Sequence, residues 1–398
     1  MIKHIKLSSF LMLFNQLPSR FCFYIRTHRL VRVVVIVFLI VFYCEFLHYY
    51  LVLLWCMWPS LASEGITGTK PVRAMFIGDT HILGSDAHWF DKLRREWQMV
   101  RSFQASMLIH HPEVVFILGD LLDNGKTCSQ KEFDYHVSRF RRMFQTPKDT
   151  STEIIVGNHD VGFHYLMSDR KHNRFKDAFS TPPVRLVTIG DVIFVLLNSM
   201  AMEGDGCNIC HEAEDKLRQI KWQLKCAKAI EEKNNIPDIC DTLEPISNTR
   251  PVLLQHFPMY RESDKNCSTP DAAPDDEKFI PFREKWDCIS KESSTMLLEY
   301  LDPRLIVSAH THHGCYRLHE NGASEYTVAS YNWRNKKAPS FLLAEISDKD
   351  FIVNRCYLPN EVTVFSIYIT GGILALACLV IPPLHKQSVL PTPSYKLH

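Results

Sequence analysis

The sequence lacks several features, and each absence narrows what the chain can be. It has no excess of charge: 45 basic and 44 acidic residues among 398 give a formal net charge of +1. A nucleic-acid binder shows a basic footprint, and near-neutrality gives no sign of one. No internal repeat or low-complexity tract is visible, which excludes a solenoid or an array. One Cys-x-x-Cys is present, Cys207 to Cys210, without a second pair to complete a four-cysteine zinc site, so a disulfide-tied loop is expected there. The first 44 residues contain no acid, only Lys3, Lys6, Arg20, Arg26, Arg29 and Arg32 among charged residues.

That basic arm, residues 1–32, leads into an apolar stretch at 33–58. A bilayer-spanning helix needs about 20 residues at 1.5 Å rise each, so the stretch is long enough to cross. Glu45 and His48 interrupt it, and Tyr49, Tyr50, Trp55 and Trp58 suit an interfacial belt. No small-residue cleavage site follows closely and the run exceeds a signal-peptide h-region, which favours an anchor over a cleaved leader. Residues 59–71 read as a linker. A second span, 362–381, carries no charge, contains Gly371-Gly372 and stops at Pro382-Pro383. The tail 382–398 holds His385, Lys386 and Lys396. The positive-inside rule places both basic ends in the cytosol and residues 60–360 on the lumenal or extracellular side.

Cysteine usage agrees. Cys128, Cys207, Cys210, Cys226, Cys240, Cys267, Cys288, Cys315 and Cys356 fall in the segment assigned to an oxidising compartment. Cys226 and Cys240 flank one insertion and are candidate partners; the pairing is otherwise open. Asn266-Cys267-Ser268 is a glycosylation acceptor, usable only in such a compartment.

Between 72 and 357 the hydrophobic pattern alternates. Strands are expected at 72–77, 113–118 and 153–156, and amphipathic helices at 86–110 and 129–144, where apolar residues recur at three and four. Further strands are expected at 184–188, 192–198, 252–255 and 305–308, helices at 212–233 and 290–301, and short strands over 314–357. The polar stretch 258–281 has the length and composition of a rim or lid.

Five strand ends carry polar residues of one kind. They are Gly78-Asp79-Thr80-His81, Gly119-Asp120 followed by Asp123-Asn124, Gly157-Asn158-His159-Asp160, Gln255-His256, and Ala309-His310-Thr311-His312. In open α/β sheets ligands gather beyond the carboxyl ends of strands, so residues far apart in sequence can converge there. Asp79, His81, Asp120, Asn158, His256, His310 and His312 would make seven ligands, too many for one tetrahedral ion and suited to two ions sharing a carboxylate. His159 sits one residue from a candidate ligand, and an imidazole can give or take a proton near neutral pH while a carboxylate holds it in one tautomer.

The order Asp-x-His, Gly-Asp-x-x-Asp, Gly-Asn-His-Asp, His, His-x-His resembles the calcineurin-like metallophosphoesterase superfamily over about residues 72–345. Asp91–Met99, Pro112–Asp120, Gly157–Tyr165 and Pro251–His256, with the two flanking spans, resemble its lumenal members that remodel glycosylphosphatidylinositol (GPI) anchors. The resemblance implies an α/β fold, a β-sandwich flanked by helices (αββα), with an N-terminal and a C-terminal transmembrane helix. It implies Asp79, His81 and His312 on one metal, Asn158, His256 and His310 on the other, Asp120 between them, and His159 as catalytic acid with Asp160 or Asp123 nearby to orient it. Two manganese ions are implied, with iron or zinc compatible.

The expected reaction is removal of an ethanolamine-phosphate branch from a GPI mannose by a membrane-anchored hydrolase. GPI-anchored proteins would be substrates and cargo receptors possible partners, in the ER exit sites, ER–Golgi intermediate compartment and cis-Golgi. Protein phosphatases of the superfamily carry an Arg soon after the second motif and a Glu after Asn-His. Their absence here leans toward a diester, although Lys126 could serve. Alternatives are a phosphomonoesterase or nucleotide hydrolase, or a non-catalytic GPI-glycan-binding cargo adaptor. His164 and Arg334 are expected at the substrate, with Trp333 beside the latter. Ala309 stands where the superfamily has Gly; a positive φ there would strain it by about 1 kcal/mol.

Overall fold

The computed structural model describes residues 28–61, 70–233 and 236–380. Most of the expected basic arm, much of the 59–71 linker and the tail 382–398 lie outside those residues. The chain forms two compact units, Met1–Leu47 with Val362–His398, and His48–Glu361.

Two helices, Arg29–Leu53 and Glu361–Val380, are long and apolar enough to cross a membrane. The first contains one π turn, Tyr43–Leu47, which carries Glu45. The Tyr368 hydroxyl on the second helix donates to the Glu45 carboxylate. The first helix is shifted toward the N-terminus relative to the expected 33–58. Its far end is taken by the larger unit, where Cys56 is disulfide-bonded to Cys356 and the Trp58 indole N–H donates to the His110 carbonyl at 2.8 Å.

The larger unit contains strands β1 (Val72–Ile77), β2 (Val114–Leu118), β3 (Ser151–Ile155), β4 (Val184–Ile189), β5 (Val192–Leu197), β6 (Val252–Gln255), β7 (Leu305–Ser308), β8 (Cys315–Leu318), β9 (Ser324–Thr327), β10 (Ser340–Ile346) and β11 (Phe351–Tyr357). Its helices are α1 (Trp89–His110), α2 (Gln130–Met143), α3 (Asn158–Val161), α4 (Asp169–Phe179), α5 (Asn208–Glu231) and α6 (Lys291–Leu301). The strands form a five-stranded sheet, β11-β10-β1-β2-β3, and a six-stranded sheet, β4-β5-β6-β7-β9-β8.

Strand periodicity builds the layers, because successive side chains point to opposite faces. Ala74, Phe76, Val114, Phe116 and Leu342 from one sheet, and Phe194, Leu196, Val252, Leu254 and Val307 from the other, form one apolar cluster between the sheets. Phe116 meets Phe194 across that gap at 4.8 Å between ring centres. The alternate residues Met75, Ile77, Val115 and Ile117 join Met99, Phe103 and Phe140 of α1 and α2. Val195, Leu253 and Ile306 belong to the same outer cluster as Leu217 and Ile220 of α5 and Leu297 of α6. Each fully buried side chain contributes about 1.5–3 kcal/mol. The result is four layers, helix–sheet–sheet–helix.

Disulfides join Cys207 to Cys210, Cys226 to Cys240 and Cys267 to Cys315 as well as Cys56 to Cys356. Cys128 and Cys288 are free.

Candidate metal centre

β1, β2 and β3 are mutually parallel, and so are β5, β6, β7 and β9. Their carboxyl ends therefore deliver the loops after β1, β2, β3, β6 and β7 to one edge of the sandwich. Those loops carry all seven expected ligands. Five of them adopt left-handed backbone: Asp79, His81, Asp120, His310 and His312 have φ between 42° and 72°. This conformation costs an L-residue about 1–2 kcal/mol, and hydrogen bonds hold it. His81 N–H donates to the Asp120 carbonyl at 2.9 Å, His310 N–H to Asp79 Oδ2 at 3.1 Å, and Ser330 Oγ to the Asp79 carbonyl at 2.8 Å.

Ala309 is absent from the left-handed residues, so the strain considered for it does not arise. The requirement falls one residue later, on His310. What Ala309 demands is space: a Cβ on Gly78 would come within 2.7 Å of the Ala309 Cβ. Gly157 likewise packs against Asp120, leaving no room for a side chain.

The ligands form two nests. In the first, His81 Nε2 lies 3.2 Å from His312 Nε2, 3.5 Å from Asp120 Oδ2 and 3.9 Å from Asp79 Oδ1. In the second, His256 Nε2 lies 3.1 Å from Asn158 Oδ1 and 3.5 Å from Asp120 Oδ1. His310 shares this cluster with Asp120 and His256. The two oxygens of Asp120 thus face one nest each. Second partners fix the tautomers: His256 Nδ1–H donates to the Leu118 carbonyl at 2.7 Å, and His310 Nε2–H to the Trp286 carbonyl at 2.8 Å. The lone pairs of His256 Nε2 and His310 Nδ1 are left for a ligand. His310 Nδ1 and Asp79 Oδ1 are buried with no hydrogen-bond partner, and such atoms are costly unless a cation answers them.

Electrostatics point the same way. Burial pushes the Asp79 carboxyl up to about 6. Burial acts upward on Asp120 too, but His256 and His81 hold it well below the usual carboxylate range. His256 is lifted to about 9 against its burial by the Asp120 carboxylate, while burial and the charge of His256 drive His310 down to about 3. One buried cluster therefore holds a proton on one ring and refuses it on the next. Divalent cations would supply the missing positive charge and displace that proton. The donor set, carboxylate, imidazole and amide oxygen, fits manganese, iron or zinc.

His159, partly exposed, stands at the mouth; its ring meets that of His81 edge-on at 4.8 Å between centres. Its Nδ1–H donates to the Asp123 carbonyl at 2.7 Å, whereas the Asp123 carboxylate is 3.8 Å away. The orienting acceptor is thus backbone. That carboxylate is paired with Arg334 and lies 3.5 Å from His81 Nδ1. Asp160 does not orient His159: its oxygens accept from Leu122 N–H at 3.0 Å and Gly157 N–H at 2.9 Å, so it ties the second and third loops together.

His164 is engaged at both nitrogens, with the Met200 carbonyl at 3.1 Å and Asp205 at 2.7 Å. Arg334 lines a cavity of about 300 Å³ with Asp123, Asn124 and His88, but its head group is committed to Asp123. Trp333 is buried and donates to the Pro359 carbonyl. Asn266 is exposed. Asn332 and Asn335 escaped the sequence reading. Asn332 Nδ2 donates to the Thr80 carbonyl at 2.9 Å, and Asn335 Nδ2 lies 3.4 Å from His312 Nε2. Their only signal is position, on either side of the Trp333-Arg334 pair singled out in the sequence.

The calcineurin-like phosphoesterase family model matches residues 72–314, a stretch containing every residue of both nests. Metallophosphoesterase 1 of Gallus gallus is 44% identical over 385 residues, covering 95% of this chain and 94% of the relative. Metallophosphoesterase 1 of Rattus norvegicus is 45% identical over 354 residues, 88% of this chain and 89% of the relative. A dimetal phosphatase from Danio rerio superposes with a TM-score of 0.44 at 11% identity, over 73% of this chain and 99% of that one, a distance at which likeness decides nothing. On the match to the family model and the identity to both vertebrate relatives, the chain belongs to the calcineurin-like phosphoesterase family, as a metal-dependent phosphoesterase.

Proposed function

We propose that the chain is a membrane-anchored dimetal phosphodiesterase that removes ethanolamine phosphate from a mannose of GPI anchors. The observation that carries the dimetal reading is Asp120, whose two oxygens face separate donor nests. Asp79, His81, Asp120 and His312 would hold one ion, and Asp120, Asn158, His256 and His310 the other. Such a pair, manganese by resemblance, supplies charge neutralisation of the phosphoryl oxygens and lowers the pKa of a water.

The chain's own groups do the rest. Gly157 and the Asp160 cap hold the third loop against the second, which fixes Asn158 and His159 together. His159 N–H donates to Asp120 Oδ1 at 2.7 Å, tying the proton donor to the shared ligand. With Nδ1–H anchored on the Asp123 carbonyl, a protonated His159 presents Nε2–H to the departing alkoxide. Arg334 is spent on Asp123, which leaves Lys126 as the nearby cation. One cation suits the single negative charge of a diester better than the two of a monoester.

The topology in this reading has both ends cytosolic and the larger unit lumenal, in the early secretory pathway. Four disulfides among the described residues and an exposed Asn266 acceptor support it. Mass spectrometry of GPI anchors from cells lacking the protein tests the substrate: retained ethanolamine phosphate supports the reading, and unchanged content removes it. Metal analysis of the purified chain tests the centre, with two ions per chain expected and fewer than one in Asp120→Ala.

A further inference from the structure

Helix α1, Trp89–His110, carries apolar side chains on two faces. One face is buried: Met99, Phe103 and Met107 belong to the core packed on the five-stranded sheet. The other faces solvent, where Trp89 is 69%, Phe90 54%, Leu93 57% and Leu108 61% exposed. Phe90 and Leu108 are about five turns apart at 3.6 residues per turn, so they share an azimuth. Trp89, Leu93 and the half-buried Trp97 form a row at every fourth residue beside it. A single exposed apolar side chain is ordinary, but a row of them on one helix marks a contact surface.

The two ends of α1 indicate what that surface meets. Tyr49 and Leu53, from the last turns of the first membrane-length helix, are buried in the same cluster as Met99 and Phe103. The Trp58 indole just beyond them donates to the carbonyl of His110, the last residue of α1. Toward the other end, Arg94 and Arg95 reach Glu361 at 3.5 and 3.8 Å, and Glu361 begins the second membrane-length helix. Arg95 and His110 are about 22 Å apart along α1 at 1.5 Å rise per residue. A rigid helix fastened near both ends to chain that is entering a bilayer lies along that bilayer. Its core face is against the sheet, so the opposite face is the one left for lipid.

The residue types fit that place. Tryptophan and other amphipathic rings concentrate at headgroup level. The Trp89 and Phe90 rings meet edge-on at 5.7 Å between centres, at the exposed start of the helix. Arg101 lies over the Trp97 ring at 5.5 Å, an arrangement that lays the basic stem on an apolar layer and leaves its charge for lipid phosphates. A protein partner would account for exposed rings equally well, but not for their continuity with both bilayer entries.

We propose that the solvent-facing side of α1, with Trp89, Phe90 and Leu93 foremost, seats in the interface of the bilayer that the two spans cross. It is a third membrane contact, and it holds α1 flat on the lipid. The inference rests on the membrane-anchored reading and goes beyond it. His88 and Asp91, at the start of α1, also line the cavity of about 300 Å³ that contains Asp123 and Arg334. With α1 seated, that cavity stands at headgroup height, where a diester carried on a lipid is presented.

The test uses the manganese-loaded full chain in phosphatidylcholine vesicles. Lipids brominated near the headgroup should quench the emission of the wild type more than that of Trp89→Phe, and the difference reports Trp89. Equal quenching in the two chains overturns the proposal and leaves the face to a protein partner. The triple variant Trp89→Ser, Phe90→Ser, Leu93→Ser should lose about 5–10-fold in kcat/KM for hexadecyl p-nitrophenyl phosphate in the vesicles, relative to methyl p-nitrophenyl phosphate in solution. Its metal content should match the wild type, because all three side chains are exposed. An unchanged ratio of the two esters overturns the proposal. Release of the wild-type chain from vesicles by alkaline carbonate removes the membrane-anchored reading instead. Hydrolysis of neither ester removes the phosphodiesterase reading, and the quenching result then decides the docking alone.

Discussion

The Nε2 atoms of His81 and His312 lie 3.2 Å apart. A hydrogen bond between them would need one ring protonated at that atom. Burial and the neighbouring His81 hold His312 well below the ordinary histidine range, while Asp123, Asp120 and Asp79 raise His81 against its own burial. Without a metal the pair relies on a proton at His81, which a divalent cation would displace.

Metal removal should therefore destabilise the larger unit. Manganese at 100 times its dissociation constant should add about 2.7 kcal/mol of stability. A unit of this size should then melt about 4 °C higher than in chelator. Asp120→Ala should lose most of that shift. Scanning calorimetry in EDTA and in manganese checks it; an equal shift in the variant would remove Asp120 from both nests.

His159→Ala should lower kcat by about 10²–10⁴-fold for a substrate with an alkoxide leaving group. The deficit should shrink for a p-nitrophenyl ester, whose leaving group needs no proton. Metal content should not change, because His159 is in neither nest. A deficit equal for both substrates would mean that His159 serves in another way.

Asp160→Ala leaves the Leu122 and Gly157 N–H groups without their acceptor in a fully buried place. The expected loss is about 2–6 kcal/mol, from two stranded donors at about 1–3 kcal/mol each. Urea denaturation measures it. If Asp160 acted on His159 instead, activity would fall while the midpoint stayed put.

Gly78→Ala should cost about 1–3 kcal/mol and displace the first loop, because the new methyl meets Ala309. Adding Ala309→Gly in the same chain should recover most of the stability and activity. Failure of the pair to recover would show that the first loop is held by something other than this contact.

The centre was legible because each ligand follows an apolar run that can only be a buried strand, and parallel strands bring their carboxyl ends together. What escaped the reading is what local pattern does not encode. Helix α4, Asp169–Phe179, is short and mostly charged and buries only His172 and Phe175, although Ser168 caps it by accepting from the Lys171 N–H. Asp160 looked catalytic because it is polar and adjacent, and one of its two backbone partners, Leu122, lies in a loop 38 residues away. His164 and Arg334 were assigned by position, and each proved to be held by a carboxylate distant in sequence. The first apolar helix begins earlier than composition suggested, since Cys56 and Trp58 are claimed by the folded unit.

Glu45 is the one acid in the first membrane-length helix and is answered by the Tyr368 hydroxyl from the second, while Gly371 gives Ile40 the room to approach. A carboxylate satisfied from its neighbour makes the two segments a single mechanical element. Truncating either one would strand a polar group on the survivor in greasy surroundings, so a shortened form should shed both together or keep both.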